Sequence, residues 1–178
     1  MRLHALASLL ALTALAPTIS QAADGTITVT GQVTANTCTI TSGSAGNHTV
    51  NLPPVSANAL KNVGDTAGRT PVLISLSSCT PATGKVSLFF EPGVGTDMTT
   101  GKLKNSAAAT PSNVEIGLLN ADFSAIALNQ GKSNQNSQEV DLTTGAADLR
   151  YYAEYVAATS AATAGAVEAS TAFTIIYP

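Results

Sequence analysis

Histidine is nearly missing from this chain, with two among 178 residues, and one of them, His4, lies in the first 22. The other, His48, stands between Asn47 and Thr49 in a stretch of turn formers. A solvated loop residue is expected there rather than a general base, since a catalytic imidazole needs a positioned partner. Cysteine is equally scarce, at two, and no His or Cys cluster has zinc-ligand spacing. There is no Gly-x-Ser-x-Gly elbow and no phosphate-cradling glycine loop. These absences argue against an enzyme and against a bound cofactor or metal. Lys and Arg number 8 against 11 Asp and Glu, a net charge of −3, and the charges are scattered. Nucleic acid and anionic membranes both select for basic patches, so neither is an expected partner.

Long apolar runs are missing as well, apart from Leu3–Leu15. That run is too short to span a bilayer, and no later segment offers the roughly 20 uninterrupted apolar residues that spanning requires. It follows basic Arg2 and precedes a breaker, Pro17, and the small residues Ser20 and Ala22, which is the pattern of a secretory signal peptide over residues 1–22. The expected mature chain, Ala23 to Pro178, has 156 residues, enough for one domain with one core, and no membrane insertion. In such an exported chain Cys38 and Cys79 most simply form one disulfide, two buried free thiols being the alternative. Closing their 41-residue separation contributes about 4 kcal/mol in the loop-entropy description.

What is present is strand pattern. Strands are expected at Thr26–Thr41, Val50–Leu52, Pro71–Ser78, Lys85–Phe90, Asn113–Leu119, Glu139–Leu142, Leu149–Val156 and Val167–Tyr177, separated by turn formers such as "TSGSAGN" (41–47), "TPATGK" (80–85) and "EPGVGTD" (91–97). Many short strands so punctuated indicate an antiparallel sandwich. Residues 56–62 are expected to form one helical turn, and 157–166 a hairpin connection. Tyr151 and Tyr155 share one face of their strand and are expected to support the sheet. The carboxylates of Glu91 and Asp97, either side of a glycine-rich turn, read as solvated loop charges.

The two extremes of the mature chain carry the most information. "GTITVTGQV" (25–33) sets Ile27, Val29, Gly31 and Val33 on one face and Thr26, Thr28, Thr30 and Gln32 on the other, so one face expects an apolar surface. "TAFTIIYP" (171–178) sets Phe173, Ile175 and Tyr177 on one side of an extended segment. Both strands seek a partner.

In this order and spacing the residues resemble a structural pilin of the chaperone–usher class, similar to the major subunits of type 1 fimbriae. The signs are the alternating extension after the leader, Cys38 a few residues beyond it, Cys79 closing the apolar strand "PVLISLSSC", the terminal strand with penultimate Tyr177, and Gly165, fourteenth from the end. The resemblance covers essentially all of the mature sequence. It implies an incomplete immunoglobulin-like antiparallel β-sandwich that lacks its last strand, with residues 34–178 as the pilin domain and 23–33 as a donor-strand extension. Gly25, Ile27, Val29, Gly31 and Val33 would supply the donor strand. Gly165, Phe173, Ile175 and Tyr177 would line the acceptor groove and its chaperone and usher recognition surface.

The implied life of the chain is export through the periplasm, a loan of a strand from a periplasmic chaperone, exchange at an outer-membrane usher, and polymerisation with itself and other pilin subunits into a fimbrium on the bacterial surface. Donor and acceptor lie at different places on one molecule, so such a contact is head to tail and propagates rather than closing. The alanine- and threonine-rich body with few charges resembles a major rod subunit, a minor adaptor or adhesive subunit being the alternative. One departure from the family pattern is Gly25, where related extensions often carry a larger apolar residue.

Overall fold

Period-two alternation sets the architecture, because a strand whose apolar residues alternate can bury one face and turn the other to water. The computed structural model describes residues 25–31, 33, 35–44, 46–107 and 113–177; the expected leader lies outside them. Its strands are β1 Thr37–Ile40, β2 Thr66–Thr80, β3 Lys85–Phe90, β4 Leu103–Lys104, β5 Val114–Leu119, β6 Val140–Asp141, β7 Ala147–Ala157 and β8 Phe173–Ile176. Every ladder is antiparallel. Five strands form one sheet in the order β1-β2-β7-β5-β4, and three form a second in the order β6-β3-β8. This is the all-β antiparallel sandwich that the sequence predicts. Residues up to Val33 form one unit and Thr34–Pro178 another, and the sandwich belongs to the second.

The core lies between the sheets. Ile74 and Leu76 of β2 and Leu149 and Tyr151 of β7 meet Val86 and Leu88 of β3 in one buried cluster. Tyr151 is 1% exposed and stands edge-on to Phe90, ring centroids 5.3 Å apart. Tyr155 faces the same way and packs on a smaller cluster of Leu60, Val114 and Ala157, so both tyrosines support the sheet as expected. Cys38 and Cys79 form the disulfide, tying β1 to β2. The ladder there jumps from Thr37↔Thr80 to Thr39↔Ser77, a bulge whose extra residue, Ser78, takes φ 51°.

Several expected elements change. Among the described residues of Thr26–Thr41 only Thr37–Ile40 is a strand, and Val50–Leu52 is irregular, though Val50 and Leu52 pack half-buried on the core. The short β4 is not signalled by its sequence. The expected strand Val167–Tyr177 shrinks to Phe173–Ile176 because its first half bonds to a loop instead of a strand. The Ser106 amide donates to the Glu168 carbonyl at 2.8 Å, and the Asn105 side chain donates to Ala166 and accepts from the Glu168 amide. Residues 157–166 are not a hairpin: β7 and β8 belong to different sheets, and the segment crosses from one to the other. The expected turn at 56–62 is present as a single 3-10 turn, Ala57–Ala59, capped by the Ser56 hydroxyl.

One margin of β3 is finished by a side chain. β6 pairs only with Lys85 and Val86, which leaves the same edge of β3 open at Leu88 and Phe90. Gln135, 0% exposed, accepts from the Phe90 amide and donates to the Phe90 carbonyl, both at 2.8 Å. The Tyr151 hydroxyl accepts from the Leu88 amide at 3.4 Å and shares a hydrogen bond with Ser137. Two side chains thus replace a strand that is not there.

Candidate functional site

β8 is the outermost strand of the three-stranded sheet. Its register sets Thr174 and Ile176 opposite Phe89 and Ser87, and the Glu91 amide donates to the Ala172 carbonyl. Residues 172, 174 and 176 therefore direct their backbone groups to β3, and strand alternation turns those of Phe173, Ile175 and Tyr177 outward. Among the described residues no strand pairs with that edge. The side chains of Phe173, Ile175 and Tyr177 are half-buried and packed on the core. An unpaired ladder edge beside partly open apolar side chains is what a strand-binding groove requires.

The opposite wall comes from β1 and the segment after it. Cys38, Ile40, Val50 and Leu52 pack half-buried on the same core. Two contacts bridge the walls. At one end the Cys38 backbone amide lies close enough to the Tyr177 hydroxyl to oppose the rise in its pKa. At the other His48 meets Phe173, ring centroids 6.0 Å apart and planes tilted by 55°. His48 is thus not the solvated loop residue expected. It is half-buried, held by a tight hairpin in which Ser44 and Asn47 exchange backbone hydrogen bonds of 2.9 Å. Gly43 permits that hairpin, with φ +72° and a Cβ position only 2.3 Å from the Asn47 carbonyl oxygen.

Beyond Phe173 the lining continues through Ala169 and Val167 to a cavity of about 170 Å³ whose walls include Pro54, Val55, Leu60, Tyr155, Gly165 and Val167. Gly165 therefore sits at the mouth of a cavity, joined to the groove through Val167, which packs on both clusters. Sequence reading missed Pro54, Val55 and Leu60; the only available signal was their apolar character beside Pro53. Ile27, Val29 and Val33 of the first unit are exposed, at 92, 88 and 100%, and residues 25–31 and 33 belong to no strand. A Cβ at Gly25 or Gly31 would meet nothing within 4 Å, so the packing of this chain does not require glycine at either position.

The carboxylates near the groove are structural. Glu91 accepts from the Thr174 hydroxyl at 2.7 Å. Asp97 accepts from the Thr99 and Thr100 amides, and those bonds hold its pKa below the ordinary range. Among the described residues no group of three or more His, Cys, Asp or Glu could hold a metal. Burial raises the Tyr151 hydroxyl above its ordinary pKa, against the lowering effect of its bonds to Ser137 and Leu88. Burial likewise raises Tyr177, against the Cys38 amide. The folded protein thus holds these phenol protons more tightly than the unfolded chain does. The associated stability is fully present below pH about 10 and is lost as pH rises through the folded values. Urea midpoints should therefore fall as pH rises above about 10, and Tyr151→Phe should flatten that fall; a midpoint independent of pH above about 10 would contradict it.

Comparison with known proteins places this architecture. The family model for FimA, type-1 fimbrial protein, matches residues 52–178. The "Major fimbrial subunit SMF-1" of Stenotrophomonas maltophilia is 47% identical over 169 residues, 92% of this chain and 98% of that protein. The "F17 fimbrial protein" of Escherichia coli is 46% identical over 159 residues, 86% of this chain and 87% of that one. Among solved structures, a subunit from a chaperone–usher pilus structure concerned with rod uncoiling superposes with TM-score 0.61 at 22% identity, covering 92% of this chain and all of that one. The P pilus rod subunit PapA gives 0.58 at 21% identity, covering 79% and 99%. At these identities the structural likeness concerns the fold.

Proposed function

The chain belongs to the type-1 fimbrial protein family, and from that premise we propose that it polymerises by strand exchange, the 23–33 extension of one copy completing the sandwich of the next. The observation that carries this reading is the outer edge of β8, where an unpaired row of backbone groups lies beside half-open apolar side chains. A foreign strand satisfies both at once, its backbone pairing with the edge and its alternate side chains entering the core. Ile27, Val29 and Val33 have the required period and are exposed, and the cavity at Gly165 has room for one of them. Gly31 has no steric reason within its own chain; a shallow place in a neighbour's groove supplies one.

The groove must be covered before a neighbour reaches it, because an open sheet edge beside apolar surface aggregates. A periplasmic chaperone lending a strand, followed by exchange at an outer-membrane usher, meets that need and leads to a fibre on the bacterial surface. The major rod subunit is the favoured role, since a relative 47% identical is itself named a major subunit. A minor subunit is the second reading, because a chain 36% identical is named the minor fimbrial subunit HifD. Deleting residues 23–33 should leave a subunit that is still captured by the chaperone but forms no fibres; normal fibres from that deletion would refute strand exchange. Electron microscopy of a strain lacking the gene separates the two roles: loss of a rod subunit abolishes the fibres, and loss of a minor one only shortens or thins them.

A further inference from the structure

His48 Nε2 is the one buried side-chain nitrogen or oxygen among the described residues that has no hydrogen-bond partner. Buried polar atoms are almost always paired, and each exception calls for a physical reason. This one lies at the groove, on a ring that faces Phe173. Resting on the strand-exchange reading, we propose that His48 is a recognition residue for the incoming strand, its Nε2 pairing with a backbone group on the edge of that strand facing away from β8.

The argument follows from the two edges that any added strand possesses. One edge pairs with β8. The other faces β1, which is only four residues long, Thr37–Ile40. Past Ile40 that far edge has no strand beside it, only the hairpin carrying His48. A strand laid along β8 runs about 4.8 Å from it, and the imidazole sits across from Phe173 at a centroid separation of 6.0 Å. The strand therefore meets the ring as it passes Phe173, displaces it from its covered position and offers its unpaired nitrogen an amide or carbonyl. The same molecule already uses this device where a ladder runs out, with the Gln135 amide closing the margin of β3 at Phe90. The hairpin that places His48 depends on Gly43, whose Cβ would also lie 3.1 Å from His48 Cε1.

The test is a competition. The full chain is offered an excess of two synthetic peptides of residues 23–37, one all-amide and one with a single backbone ester, the ester being moved through positions 25–33, and the bound ratio is read by mass spectrometry. The ester weakens one backbone hydrogen bond, so at one position it should lose by roughly tenfold more on the natural chain than on His48→Phe, which keeps the ring against Phe173 but has no nitrogen. The ¹⁵N shift of His48 Nε2 should also change when the amide peptide binds. Identical ester profiles on both chains, or an unchanged ¹⁵N shift, overturn the proposal while leaving strand exchange intact. Failure of the natural chain to capture any peptide overturns strand exchange itself, and this inference with it.

Discussion

A synthetic peptide of residues 23–37 should raise the melting temperature of the subunit lacking residues 23–33 by about 10–20 °C, taking about 2–4 °C per kcal/mol for a domain of this size. Burying Ile27, Val29 and Val33 supplies about 1.5–3 kcal/mol each. Ladder bonds to the outer edge of β8 add about 0.5–1.5 kcal/mol apiece. Ordering a free peptide removes much of this sum, and a net gain of about 5 kcal/mol is the expectation. Part of the effect comes from the subunit itself, since Phe173, Ile175 and Tyr177 pass from half-buried to buried. A peptide carrying Val29→Asp should give no rise, because a carboxylate in an apolar slot keeps its desolvation cost unmet. Calorimetry with and without each peptide decides the matter; a melting temperature unmoved by the natural peptide would refute the groove as a strand site.

Gln135→Leu should destabilise the sandwich by about 3–5 kcal/mol, since it strands both the N–H and the C=O of Phe90 in the interior and each orphan costs about 1–3 kcal/mol. The glutamine is fully buried and its two bonds are both 2.8 Å, so solvent cannot take over either role. Gln135→Glu is informative in another way. A carboxylate there accepts from the Phe90 amide but faces the Phe90 carbonyl without a proton, and burial favours its neutral form. Its folded pKa is therefore raised, and the variant should be most stable below the unfolded value of about 4.3 and weaken as pH climbs above it. Urea melts of both variants at pH 4 and pH 7 test this; a Gln135→Leu loss below about 1 kcal/mol would show that the margin of β3 is wet.

Much of the fold was legible because alternation and turn formers are local. Lys85–Phe90 reads as a strand from its sequence and is one to the residue, and Asn113–Leu119 misses by a single position. The failures come from pairing, which is not local. Val167 and Ala169 alternate like strand residues, but the chain beside them is the loop at Asn105 and Ser106, so they bury their side chains without joining a ladder. The crossover after β7 resembles a hairpin link because turn composition reports that the chain bends, not which sheet it enters. At the site, the face of Phe173, Ile175 and Tyr177 was readable and is found as one half-buried row. The facing wall was not. His48 sits among glycine, serine and asparagine, the composition of a wet turn, and only the hairpin closed at Ser44 and Asn47 brings its ring onto Phe173.

The two margins of the three-stranded sheet differ in a way that limits what it can become. Beyond the two residues of β6, one is closed by the Gln135 amide and the Tyr151 hydroxyl, so that stretch of β3 offers no template to a passing strand. The other stays receptive. On the strand-exchange reading, a building block with one open margin at this sheet extends in line and does not branch, and the side chains at the other margin work against the lateral stacking that turns exposed β-edges into tangled deposits.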